Sequence, residues 1–132
     1  MKSRTLSVSI AASPEVVYAF VSDPLNLPKW AAGLGQSVGQ IDGRWIVETA
    51  SGPATVEFAP HNTLGVLDHT VTLPSGERIF VPIRVIRNDG GAEVLLTLFQ
   101  TPGMTEQQFA KDAGLVQKDL ATLKQIMEAR AA

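Results

Sequence analysis

The sequence contains no cysteine, which removes disulfides, thiolate nucleophiles and the common zinc motifs at one stroke. Charge is sparse as well: Asp, Glu, Lys and Arg make up 18% of the residues, and the net charge is −2 with both histidines neutral. No basic field exists to hold nucleic acid or an anionic membrane, so nucleic-acid binding is not expected. No run approaches the roughly 18 apolar residues that a membrane span requires, so no membrane insertion is expected. The opening MKSRTLSVSI alternates polar and apolar residues and lacks the apolar block of a signal peptide. A cytoplasmic location is the expectation. Neither GxGxxG nor GxxxxGK[ST] occurs, and no pair of His or carboxylate side chains stands at ligand spacing on one face, so no cofactor and no metal are expected.

What is present is apolar: hydrophobic residues are 45% of a 132-residue chain, enough for one core and one domain over 1–132. The clearest element is the last one. Phe109, Ala113, Val116, Leu120, Leu123 and Met127 recur at spacings of four and three, which predicts a long helix from Thr105 to about Arg130 with one apolar stripe. Thr105 and Gln108 form a capping-box pair, and Met104 can staple onto Phe109.

Upstream, Leu6, Val8 and Ile10 alternate with polar residues as in a strand with one buried face. Ser13-Pro14-Glu15 opens a helix whose inner face is Val17, Phe20 and Val21, and Asp23-Pro24 stops it. Asn26 to Trp30 reads as a second short helical turn or a bent connection, closed by Gly33 and Gly35. Short strands separated by turns follow: Ser37–Ile41, a hairpin at Asp42-Gly43, Arg44–Thr49, a turn at Ser51-Gly52-Pro53, Ala54–Phe58, Leu64–Leu73, Arg78–Arg87 and Ala92–Phe99. Strands joined by tight turns, with helices segregated to the ends, predict an α+β fold with one antiparallel sheet of about seven strands.

This order resembles the helix-grip fold of the START/Bet v 1-like superfamily, SRPBCC, in which a curved sheet wraps a long C-terminal helix over a cavity. The resemblance is carried by Ser13 to Phe20 after the first strand, the Asp23-Pro24 stop, Trp30 and the closing helix. Phe99 to Thr105 and Asp119 to Lys124 are similar to the bacterial polyketide cyclase/dehydrase-like branch. It implies a small hydrophobic ligand, lipid- or polyketide-like, between sheet and helix. The superfamily also includes enzymes and Hsp90-ATPase activators, so a cyclase or dehydratase and a protein-interaction module are the alternatives.

Strand parity nominates the cavity's lining. His69 shares a face with Leu67, Val71 and Leu73, and so points inward if they do. It is the one candidate for acid/base chemistry, because its ordinary pKa near 6.5 suits proton transfer near neutrality. A core histidine bonded to backbone is the competing reading. Asp68, its neighbour, leaves the opposite face. The same parity sends Trp45, Val47 and Thr49, then Val81 and Ile83, then Leu96 and Leu98 inward to meet Phe109, Val116 and Leu120 of the helix. Trp45 is either a plain core residue or a stacking platform, and Trp30 either covers a ligand or anchors the short helix. His61 belongs to a solvated turn. Phe80, Pro82 and Ile86 make the outer face of their strand unusually apolar, which suggests a homodimer contact, and Arg84 is expected to share that face.

Overall fold

A computed structural model describes residues 1–31 and 37–131; Gly33 and Gly35, expected to close the second helical turn, lie outside the described residues. The long helix, α3, spans Glu106–Ala131, about 39 Å at 1.5 Å per residue. Its N-cap is the predicted one: the Gln108 amide donates to Thr105 Oγ1 at 3.0 Å. The reciprocal half of the capping box is not made, because the Gln108 side chain reaches Asp112 one turn on, at 2.8 Å.

Both ends of α3 are tied to the first strand, β1 (Ser3–Ile10). Lys2 pairs with Glu106 at the helix start. At the far end Lys124 donates to the Ser9 carbonyl (2.8 Å), and Glu128 accepts from the Ala11 amide (2.9 Å). The helix therefore runs along β1 in the same direction. These pairs are exposed and each contributes little energy; they fix the register of α3 on the strand, while the apolar stripe supplies the stability.

Helix α1 (Pro14–Val21) follows β1, capped by Ser13 and burying Val17, Phe20 and Val21. Asp23 ends it and caps a 3₁₀ turn, Pro24–Asn26, by accepting from the Leu25 amide at 3.0 Å. The four-residue α2, Leu27–Trp30, buries Leu27 and Trp30.

Eight strands form, one more than expected. Strand β2 (Val38–Ile41) turns at Asp42-Gly43 into β3 (Arg44–Thr49), with positive φ of 52° and 78° at the turn, the geometry a two-residue primed hairpin demands. Strand β4 begins at Gly52 and runs to Phe58 (Gly52–Phe58), taking in Gly52 and Pro53, which were expected to turn.

Two long strands expected from the sequence are interrupted. Leu64–Leu73 contributes only β5, His69–Thr72, plus an isolated bridge from Val66 to Arg84. The Asn62 side chain explains this, since it accepts from the Leu64 and Val66 amides and donates to the Val66 carbonyl, stabilising a loop in place of a ladder. Gly65 lies in that loop at φ 73°, where a Cβ would overlap the Val85 carbonyl oxygen.

Arg78–Arg87 divides into β6 (Arg78–Val81) and β7 (Ile83–Asn88) at Pro82, which has no N–H to donate. Strand β8 spans Gly91–Phe99. The break at Pro82 separates two antiparallel ladders, β2-β3-β4-β5-β6 and β1-β8-β7. Backbone bonds from Leu67 N to Ile83 O (2.9 Å) and from Val85 N to Gly65 O (2.9 Å) stitch them together. The result is a strongly curved antiparallel layer around α3, with side-chain parity carried across the break: Ile83 and Val85 are buried, while Phe80, Arg84 and Ile86 are exposed.

Candidate functional site

Between the N-terminal half of α3, the short α2 and the strands on either side of Pro82 lies a pocket of about 200 Å³. Its walls are Leu27, Trp30 and Ala31 from α2 and its C-cap, Val81, Ile83, Leu96 and Leu98 from the sheet, and Leu115 and Val116 from the helix. Register explains the convergence. Val81 pairs with His69, and Ile83 with Leu96, so all four leave the concave face of the layer. Pro82 lets the ladder bend between them.

His69 is the polar side chain the sheet contributes to this pocket, and it is 5% exposed. Its Nδ1 lies 3.2 Å from the Leu67 carbonyl oxygen, and its ring meets that of Phe58 at a centroid distance of 4.7 Å. Since a carbonyl can only accept, Nδ1 carries the proton and Nε2 presents a lone pair. Burial pushes the pKa of His69 below its ordinary value, only partly countered by the Leu67 hydrogen bond and the charge of Asp68, and so favours the neutral ring.

Asp68 leaves the other face, as strand geometry requires. There it accepts from the Ile83 amide at 3.0 Å and pairs with Arg84. It is paired and largely covered. Arg84 stays outside the pocket, and the Asp68–Arg84 pair braces the strand break from the convex side. His61 is exposed, beside Tyr18.

Of the residues nominated from sequence, Trp30, His69, Val81, Ile83, Leu96, Leu98 and Val116 meet around this pocket. Val47, Val71 and Leu120 are fully buried in the core and do not line it. Phe109 is buried near the start of α3, again outside the lining. Thr49 serves its own turn, donating to the Gly52 carbonyl at 2.7 Å and accepting from the Ser51 amide. Trp45 is half-buried at the edge of a broader open depression of about 710 Å³, bordered by Arg44, Thr55, Glu57, Thr70, Thr72 and Arg78. By strand parity those polar residues lie on the opposite side of the layer from His69.

Sequence reasoning missed Asp112 and Asp119, which line the pocket from α3, together with Leu27, Ala31 and Leu115. The signal was legible. Asp112, Leu115 and Asp119 are spaced three and four apart, a second strip beside the apolar stripe. Trp30, 4% exposed, buries an indole N–H without a partner among the described residues. No group of three or more metal-ligating side chains occurs among the described residues, and none of the described helices is long and apolar enough to cross a membrane.

An antiparallel layer curved around a long terminal helix, with an apolar pocket under the helix's first half, defines a helix-grip domain of the START/Bet v 1-like superfamily. The chain belongs to the polyketide cyclase / dehydrase and lipid transport family, whose model matches residues 1–128. Solved structures agree on the fold. XoxI from Bacillus cereus is 18% identical with a TM-score of 0.76, over 96% of each chain. The Aha1 dimer from Colwellia psychrerythraea is 15% identical with a TM-score of 0.72, over 97% of each chain. Ara h 8.0201 is 16% identical with a TM-score of 0.68, over 97% of this chain and 98% of its own. No curated protein matches the sequence.

Proposed function

We propose that the protein binds a small apolar molecule in the pocket between α3 and the bend of the sheet. The observation that carries this reading is the pocket itself: apolar walls drawn from α2, β6, β7, β8 and α3, with a buried neutral imidazole among them. Specific small-molecule sites have this character, a greasy enclosure with a few placed polar groups. A volume of about 200 Å³ falls below the ~300–1,000 Å³ of drug-sized sites, which favours a short-chain or single-ring compound over a two-chain lipid. Native mass spectrometry of freshly purified protein tests this. A co-purified species of low mass, displaced by added short-chain alcohol, is expected; bare protein that also fails to take up the alcohol contradicts it.

The position of His69 supports a second reading, an enzyme of the cyclase or dehydratase type in which Nε2 accepts a proton from bound substrate. The two separate on His69→Ala. A binding protein changes its affinity modestly, whereas an enzyme loses turnover while retaining binding. Self-association is an independent property, supported by Phe80 and Ile86, 52% and 50% exposed on the convex face. Sedimentation at rising concentration should reveal it, and Phe80→Asp should abolish it.

A further inference from the structure

Two polar side chains of this pocket are fully buried, His69 at 5% exposed and Trp30 at 4%. Asp112 and Asp119 are half-buried and have partners of their own, Asp112 the Gln108 side chain at 2.8 Å. His69 does not use all it has. Its near nitrogen, Nδ1, turns back to the Leu67 carbonyl and donates there, so the far edge of the ring, with Nε2, extends off the strand on the concave side. No described residue bonds Nε2. A lone pair bordered by apolar side chains of β6, β7 and β8 is left for whatever fills the space. The Trp30 indole N–H also lacks a partner among the described residues.

A neutral imidazole nitrogen in an apolar wall favours one kind of guest. An acceptor buried without a hydrogen bond is costly. A guest that brings an O–H satisfies it, whereas a ketone, an ether or a hydrocarbon of the same size leaves it unpaired. The guest's own O–H meets the converse condition: its burial costs free energy unless the pocket supplies an acceptor, and Nε2 is the fully buried one. Burial also holds the ring neutral, so this acceptor persists at neutral pH. Resting on the binding role proposed above, we infer that the pocket selects neutral apolar molecules carrying one hydroxyl, alcohols or phenols in class, whose O–H donates to His69 Nε2, and discriminates against ketones, ethers and hydrocarbons of equal size.

Hexanol and methyl pentyl ether decide it. They are isomers with nearly the same hydrocarbon surface; only the alcohol donates, while both can accept from an N–H such as that of Trp30. Each is titrated into the full chain near neutral pH and followed by NMR. Hexanol should bind about three- to tenfold tighter, the net worth of one neutral hydrogen bond. His69→Phe, which keeps an aromatic ring against Phe58, should bring the two probes within about twofold by weakening hexanol alone. If that variant folds poorly, the imidazole nitrogen signals of the parent decide: a protonated Nδ1 and a bare Nε2 in the free protein, with Nε2 shifting toward its hydrogen-bonded position on addition of hexanol but not of the ether. Ether binding as tightly as hexanol, a preference unchanged in His69→Phe, or a proton on Nε2 in the free protein overturns this selectivity while the apolar pocket stands. Failure of both probes to bind overturns the pocket's binding role and the selectivity with it.

Discussion

The two halves of α3 face the same sheet and do different work. From Leu120 onward its inner positions are sealed: Leu120, Leu123 and Met127 are each at most 1% exposed. Before Leu120 the inner surface is broken. Ala113 is small, Val116 is only half-buried, and Asp112, Leu115 and Asp119 border open space. One helix thus serves as core at one end and as the wall of a pocket at the other, and side-chain size and polarity along a single stripe mark the change.

That contrast can be broken most forcefully at the sealed end. Leu123→Ala should cost about 2–5 kcal/mol in chemical denaturation, the range for deleting a fully buried leucine, with little effect on hexanol affinity. Val116→Ala should do the reverse, costing about 1 kcal/mol or less in stability because its site is already partly empty, and changing hexanol affinity severalfold. Equal stability losses at the two positions would erase the distinction between the halves.

Acid sharpens the comparison on the sheet side. Burial lowers the pKa of His69, so below about pH 6.5 the unfolded chain takes up a proton that the folded ring still refuses. Stability from this group is therefore complete above about pH 6.5 and declines as pH falls from there toward the folded-state pKa. Urea midpoints at about pH 7.5 and 5.5, where most carboxylates remain ionised, should differ in the parent, and the difference should shrink in His69→Phe. Glu106 and Glu128 are also lowered, by Lys2 and by Lys124 with the Ala11 amide, but they act in the carboxylate range, below about pH 4.5.

The smallest expected effect is at Gly114, in the open half of the helix. It is exposed, and a Cβ there meets nothing within 4 Å, so no close approach requires glycine. Gly114→Ala should stabilise by up to about 1 kcal/mol. A loss of stability would mean that the helix there is not in the conformation described.

Much of this architecture could be read from residue order. The stripe of α3, its Thr105 cap, the Asp42-Gly43 hairpin and the inward parity of His69, Ile83 and Leu96 are local patterns, and local patterns survive in sequence. The interruptions at Gly65 and Pro82 were harder to see, because alternation of apolar residues continues through both. Pro82 breaks the ladder without breaking the parity, and the Asn62 side chain holds its loop through bonds that periodicity does not register. Lining a pocket is a still less local property. Val47 and Val81 both face inward, yet Val47 is sealed in the core whereas Val81 borders open space, and only the bend between β6 and β7 decides which. Asp112 and Asp119 lie beside the apolar stripe, and a periodicity of apolar residues does not register polar positions next to it.

The most direct test is a chemical-shift map of the protein saturated with hexanol. Side-chain signals of Trp30, His69, Leu96, Leu98 and Val116 should shift together, with those of Leu120, Leu123 and Met127 unmoved. Shifts centred on Trp45 and the Arg44–Thr72 depression, or none above those of a control protein, would contradict a binding pocket under the first half of α3.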